Sequence, residues 1–244
     1  MKERIQKVLA RSGYGSRREI EKMIAEGRIK VNQRLAQLGD RITEQDLVYI
    51  DGQLSSLSAP EQVRILLYHK PEGEICTRKD PEGRTTVFET LPRLKDGRWV
   101  IIGRLDINTS GLLLFTNEGE LANRLMHPSA QVEREYAVRV LGAVDADMTQ
   151  KLAHGVGLED GKARFEDIVD VGGDGKNRWF HVVVVEGRHR FVRRLWESQG
   201  VKVSRLIRVR FGPIVLPKSL RRGAWKELES PEIKSLQNIS IVPR

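Results

Sequence analysis

The stretch Gly103-Arg104-Leu105-Asp106-Ile107-Asn108-Thr109-Ser110-Gly111 decides between two architectures. From Asp106 onward it fits the opening of a calcium-binding loop, with oxygen-bearing side chains at positions 1, 3 and 5 and glycine at 6. Such a loop joins two helices. It needs a bidentate glutamate at its twelfth position, where the sequence has Asn117, and a ligand or water site at its ninth, where it has Leu114. The residues before it, Trp99-Val100-Ile101-Ile102, have the composition of a strand and not of an entering helix. The stretch is therefore expected to be a loop between a strand ending at Gly103 and one resuming at Leu112. Its Asp, Asn, Thr, Ser and Gly suit that role, because their side chains bond nearby backbone groups. The turn reading accounts for Asn108 to Gly111 but gives no reason for Arg104 beside Asp106.

Working outward, period-2 apolar runs predict strands at 64–70, 74–77, 100–103, 112–116, 135–141, 163–171, 179–186 and 203–211. Helical segments are expected near 120–126, 145–154 and 191–199. Strands outnumber helices without regular alternation, which predicts an α+β fold with a mixed, largely antiparallel sheet. The run Gly172-Gly173-Asp174-Gly175-Lys176 lacks the spacing and the Ser or Thr of a phosphate-binding loop, and reads as a hairpin turn.

The first fifty-odd residues read as a separate helical unit with short strands. Ile5, Val8 and Leu9 form a helical stripe that Gly13 and Gly15 break. Ser16-Arg17-Arg18-Glu19 is a capping box opening a helix that buries Ile20, Met23 and Ile24, exposes Arg17, Arg18 and Lys22, and stops at Gly27. Short strands follow at Ile29–Asn32 and Leu47–Ile50, with a turn at Asp51-Gly52. Ser55-Ser56-Leu57-Ser58-Ala59-Pro60 is the expected linker.

Composition narrows the function. The chain has 244 residues and a formal net charge of +9, which points to a polyanionic partner. Between Glu186 and Lys226 twelve basic residues face only Glu186 and Glu197. Several alternate with apolar residues in Arg205-Leu206-Ile207-Arg208-Val209-Arg210, so a strand face could present them in a row to nucleic acid. A single cysteine, Cys76, excludes an internal disulfide. No apolar run is long enough to span a membrane and no secretory signal is evident, so a cytoplasmic location is expected. The five histidines lack metal-ligand spacing, one cysteine cannot build a zinc cluster, and no nucleophile-elbow or dinucleotide fingerprint is present. An enzyme of this sequence is expected to work with side chains alone. A lone carboxylate among arginines can do so, since nearby cations hold it ionised.

Two resemblances sharpen these expectations. Ile5–Gln33, IQKVLARSGYGSRREIEKMIAEGRIKVNQ, resembles the S4-type RNA-binding domain, which implies that Arg11, Arg17, Arg18, Arg28 and Lys30 face RNA phosphates. GRLD followed by NTSGLLLFTNEGELANRLMHP looks like the catalytic-aspartate motif of RNA pseudouridine synthases of the RsuA/RluB type, which act on ribosomal RNA. Three further blocks agree in order: Tyr68–Phe88, Val132–Gly142 and Glu186–Gly212. In the last, Arg188-His189-Arg190-Phe191 departs from the asparagine or glutamine usual there.

The resemblance implies an S4-like domain over residues 1–58 and a catalytic domain over 59–244 that isomerises uridine to pseudouridine without a cofactor or metal. Asp106 matches the essential aspartate. It would attack the uracil ring or ribose C1′, or assist formation of a glycal. Tyr136 would pack on the target base, Arg193 would pair with the aspartate, Leu195 would line the pocket, and Arg104 would fill the space left by the extruded nucleotide. Arg188, Arg190 and Arg194 would join the phosphate contacts. The likeness is greatest to members acting on large-subunit (23S) ribosomal RNA, so that RNA or an assembling ribosomal particle is the expected partner of a monomer. The alternatives are a small-subunit target, a glycosylase that releases the base, and a non-catalytic S4-type assembly factor.

Overall fold

The computed structural model describes residues 2–57, 62–95, 97–174 and 177–240, and its backbone falls into two compact units. The first takes its residues from Met1–Arg64, Pro92–Val100 and Asn117–Gly119. Its elements are β1 (Glu3–Arg4), α1 (Ile5–Arg11), α2 (Arg17–Ala25), β2 (Ile29–Val31), β3 (Arg34–Leu35), β4 (Arg41–Ile42), β5 (Val48–Ile50) and β6 (Gln53–Leu54). The capping box forms as expected: Glu19 N donates to Ser16 Oγ at 3.1 Å and Ser16 N to Glu19 Oε2 at 2.7 Å. Both helices bury one stripe. Ile5, Val8, Leu9, Ile20 and Ile24 pack with Ile29, Val31, Ile42 and Val48, and Met23 is only partly buried. The four-stranded sheet runs β3-β2-β5-β6, and Asp51 (φ 50°) with Gly52 (φ 82°) makes its last hairpin turn.

Ser55 and Ser56, expected in the linker, belong to this unit. Ser55 Oγ donates to Val48 O at 2.7 Å and Ser56 N to Tyr14 Oη at 2.7 Å. Ser58, Ala59 and Pro60, and with them the expected boundary, lie outside the described residues, as do Gly175 and Lys176 of the glycine run.

The second unit carries β7 (Ile65–Lys70), β8 (Val100–Ile102), β9 (Ser110–Thr116), α3 (Gly119–Met126), β10 (Arg134–Leu141), α4 (Ala146–His154), β11 (Val156–Leu158), β12 (Gly161–Ala163), β13 (Asp167–Asp174), β14 (Asn177–Val184), α5 (Phe191–Glu197), β15 (Lys202–Phe211), β16 (Ile214–Val215), β17 (Trp225–Glu227) and α6 (Ser230–Gln237). Its nine-stranded sheet runs β13-β14-β10-β15-β9-β7-β17, with β16 on β15 and β8 on β9. The β15–β9 pair is parallel and its flanking pairs are antiparallel, giving the mixed sheet of an α+β fold. Period-2 alternation buries Tyr136, Val138 and Val140 on β10. On the neighbouring β14, Phe180 meets Trp196 of α5 with ring centroids 4.9 Å apart, and Phe165 lies 5.8 Å from the same indole.

Two expected strands are corrected. Residues 74–77 form no strand; Ile75 makes one bridge to Thr86, and the Glu74 carboxylate turns inward to accept from Tyr68 Oη at 2.7 Å. The run 163–171 is interrupted, because Phe165 N donates to Leu152 O at 3.0 Å and its ring enters the core. Strands β12 and β13 lie on either side of that break. Asn117, the would-be twelfth calcium ligand, is buried and bridges backbone, accepting from Arg64 N at 2.8 Å and donating to Gln62 O at 2.8 Å.

Candidate active site

The loop 103–109 joins β8 to β9, as its turn residues predicted. Gly111 (φ 110°) follows it, where β9 runs parallel to β15 with Gly111 opposite Arg208. A Cβ at Gly111 would overlap the backbone oxygen and nitrogen of Arg208, so the residue must be glycine for the strands to meet.

Neighbouring donors and acceptors fix the loop backbone. Lys70, at the end of β7, is 0% exposed. Its ammonium donates to the carbonyls of Pro71 at 2.9 Å, Asp106 at 3.3 Å and Thr109 at 2.9 Å. Burial holds its pKa below the ordinary lysine range, against the opposing pull of Glu74, Glu72 and Asp106. Arg193 on α5, 7% exposed, reaches Asn108 O at 2.8 Å and Val203 O at 2.9 Å. Leu105 N donates to Cys76 Sγ at 3.4 Å, Gly73 N to Ile107 O at 2.9 Å, and Thr109 N to Asp106 O at 3.0 Å.

Every residue from Leu105 to Thr109 is thus held through its backbone. The Asp106 carboxylate is different. It is partly exposed and accepts no hydrogen bond among the described residues, while the charges of Lys70 and Arg193 act on it through space. Arg193 was expected to pair with the aspartate directly; its donors go to carbonyls instead. The result is a rigidly aimed carboxylate whose lone pairs stay available to a substrate.

Tyr136 on β10, 9% exposed, stands opposite Arg208 in the ladder. Arg208 is 1% exposed, its Nε donates to Leu112 O at 2.7 Å, and it makes no ion pair among the described residues. Arg134 donates to Val185 O at 2.6 Å. Both guanidinium groups lie 5.5 Å from the Phe211 ring centroid. Lys70, Arg134, Arg193 and Arg208 thus all bind carbonyls and make no direct ion pair among the described residues, which favours negative charge developing on a bound substrate. The sequence suggests for Lys70-Pro71-Glu72-Gly73 only a turn beside the pocket and for Arg208 only one of a row of basic residues, and it gives no sign of Arg134. For Arg208 a signal existed: it stands two residues from buried Leu206, on the core side of the strand.

Other expected residues fall into three groups. Arg104 is exposed, as are Arg17, Arg18 and Lys30 in the first unit. Leu195 is wholly buried and presents nothing to a pocket surface. The remaining arginines are already paired. Arg188 and Arg194 share Asp160 at 3.0 and 2.8 Å, Arg188 also lies 2.7 Å from Glu186, and Arg190 meets Glu197 at 3.2 Å. In the first unit Arg11 pairs with Glu3 at 3.0 Å and Arg28 binds both oxygens of Asp51 at 2.8 and 2.6 Å. Residue counts along the basic segment missed Asp160, which reaches it from the β11–β12 turn.

Comparison with known proteins matches residues 64–198 to the RNA pseudouridylate synthase family and residues 3–48 to the S4 domain. A ribosomal large subunit pseudouridine synthase B of Pasteurella multocida is 59% identical over 99% of this chain and 71% of its own length. The protein of that name from Escherichia coli O6:H1 is 58% identical over 100% of this chain and 85% of its own. A crystal structure of a pseudouridylate synthase superposes with a TM-score of 0.67 at 26% identity, covering 96% of this chain and 99% of that one.

Proposed function

The chain belongs to the RNA pseudouridine synthase family, and on that premise we propose that it isomerises uridine to pseudouridine in large-subunit ribosomal RNA with Asp106 as the reacting carboxylate. The observation that carries the assignment is the contrast within one loop: backbone pinned from Leu105 to Thr109, carboxylate left without a hydrogen bond. The names of the relatives support the large-subunit target. The proposed active form is a monomer. Residues 1–58 act as the RNA-holding domain and 59–244 as the catalytic one, a division that the two family matches support.

The reaction breaks the N1–C1′ bond, turns the uracil and joins C5 to C1′; the C5 proton is lost and N1 regains one, so no electrons are gained or lost overall. A base within folded RNA must first be extruded, at about a few kcal/mol. Tyr136 offers it a π-face, worth roughly 1–3 kcal/mol per stacked base, and Arg104 takes the vacated place in the RNA. Arg193 holds the loop from the α5 side, and Leu195 packs in the core on the same helix. As the uracil leaves, the cations Arg134, Arg193 and Arg208 oppose the negative charge growing on its ring.

The test is carbodiimide mapping of large-subunit RNA treated with the purified protein in the presence of a chelator. One new pseudouridine stop is expected, and Asp106→Asn should remove it while RNA binding persists. Retained conversion in that variant would remove Asp106 from the chemistry. Absence of any stop, on free RNA and on partly assembled particles, would leave the binding-only alternative.

A further inference from the structure

The basic segment that dominates the sequence divides sharply by environment. Arg188, Arg190, Arg194, Arg210 and Lys226 are ion-paired, and Arg193 and Arg208 are buried on carbonyls. Lys202 and Arg205, exposed on β15, make no ion pair among the described residues, and Lys218, Arg221 and Arg222 share that state but are grouped on one connection. These three stand within five residues of one another on the connection between β16 and β17.

That connection is held firmly. His69 N donates to Ala224 O at 2.9 Å, Gly223 N to His69 O at 2.8 Å, and His69 Nδ1 lies 2.8 Å from Leu220 O. Internal turns add Leu220 N to Pro217 O at 3.1 Å and Ala224 N to Arg221 O at 3.1 Å. The residue after His69 is Lys70, whose ammonium fixes Asp106. Three free cations are therefore anchored one residue from the clamp of the catalytic loop. Trp225, 37% exposed, follows in the same segment with its indole N–H bonded to Thr90 O at 3.1 Å.

From this we infer that the Lys218–Arg222 connection is a phosphate clamp for the RNA strand flanking the target uridine, and that Arg188, Arg190 and Arg194, before and on α5, are mainly structural. The inference rests on the proposed reaction and adds to it which surface holds the substrate in register. Free cations beside an exposed aromatic side chain fit single-stranded nucleic acid, which offers phosphates and stackable bases together. Ion-paired arginines neutralise fewer phosphates, because their charge is already compensated within the protein.

The experiment compares two triple variants in wild-type background, each removing three positive charges from the same unit. Lys218→Ala/Arg221→Ala/Arg222→Ala should weaken binding of a large-subunit RNA fragment at low salt by about 100-fold. It should flatten the slope of log affinity against log salt by about 2 to 3, since each phosphate contact contributes roughly 0.7–0.9. KM should rise similarly while kcat at saturation stays within about threefold. Lys151→Ala/Lys162→Ala/Lys234→Ala, exposed lysines elsewhere, should shift the slope by less than about 0.5. Equal slopes for the two variants would overturn the clamp, and so would full recovery of the slope loss by Arg188→Ala/Arg194→Ala alone. The charge-conserving Lys218→Arg/Arg221→Lys/Arg222→Lys should behave as wild type; a flattened slope there would refute a purely phosphate-directed role. Failure of the wild-type protein to convert uridine would instead sink the proposed reaction, and the binding slopes would still be readable.

Discussion

Replacing Lys70 by methionine isolates what the buried ammonium does. Methionine keeps most of the side-chain volume and removes three hydrogen bonds to carbonyls at 2.9, 3.3 and 2.9 Å. Bonds from a charged donor contribute about 1.5–3 kcal/mol each, so the gross loss is about 5–9 kcal/mol. Relief from burying a charge offsets several kcal/mol of that. A net destabilisation of about 1–3 kcal/mol is expected. The functional loss should be larger in kind. Freed from its anchor, the Asp106 backbone shifts, and a displacement of about 1 Å of a reacting group costs on the order of 100-fold in rate. Single-turnover conversion of a large-subunit RNA fragment should therefore slow about 100-fold, with RNA affinity within about twofold, because a side chain with 0% exposure cannot reach a phosphate. Unchanged single-turnover rate would refute the clamp, and equal loss of affinity and rate would mark Lys70 as an RNA contact.

The same residue gives a pH signature. Burial lowers the Lys70 pKa in the folded chain. Between that value and the unfolded one, the folded state binds fewer protons, so this group's contribution to stability rises with pH across the window. Its charge on the loop carbonyls is lost across the same window. Turnover should fall along an alkaline limb beginning below the ordinary lysine range, without a matching fall in unfolding free energy, and the methionine variant should lack that limb.

Further outcomes follow from other parts of the fold. Gly111→Ala sets a side chain at φ 110° against the Arg208 backbone. It should cost more than about 3 kcal/mol in urea unfolding of the second unit; a loss under about 1 kcal/mol would show that the strands can separate cheaply. In the first unit, Arg17→Ala/Arg18→Ala/Lys30→Ala should flatten the salt slope of RNA binding by about 2. Arg28→Ala should change it by less than about 0.5, since Arg28 is held by Asp51; a larger shift would mean that RNA displaces Asp51.

Much of this was legible because it is local. The Ser16–Glu19 box, the alternation along β10 and the loop after β8 depend on residues a few positions apart. The Glu229–Glu232 box with Pro231 behind it was equally local and opens α6, which the strand-dominated reading passed over. What stayed hidden depends on distant partners. Nothing near Lys70 marks it as buried, and the partners that make it a clamp lie at 106 and 109. Nothing near Arg194 announces Asp160. The break at Phe165 answers to Leu152 and the core, whereas the flanking residues alone favour a continuous strand. Asp106 itself was found through its motif, and its hydrogen-bond-free carboxylate could not have been read from it.

The parallel seam between β9 and β15 also bears on when the enzyme can first act. Gly111 and Arg208 meet although nearly a hundred residues separate them, and the clamps from Lys70 and Arg193 converge on the same loop from either side in the chain. Contacts of such long sequence separation close late in folding. During synthesis the core built from Ile5 to Val48 can fold on its local contacts and engage RNA while the segment around Asp106 still lacks β15. Binding competence is thus expected before catalytic competence, which waits until β15 has been made.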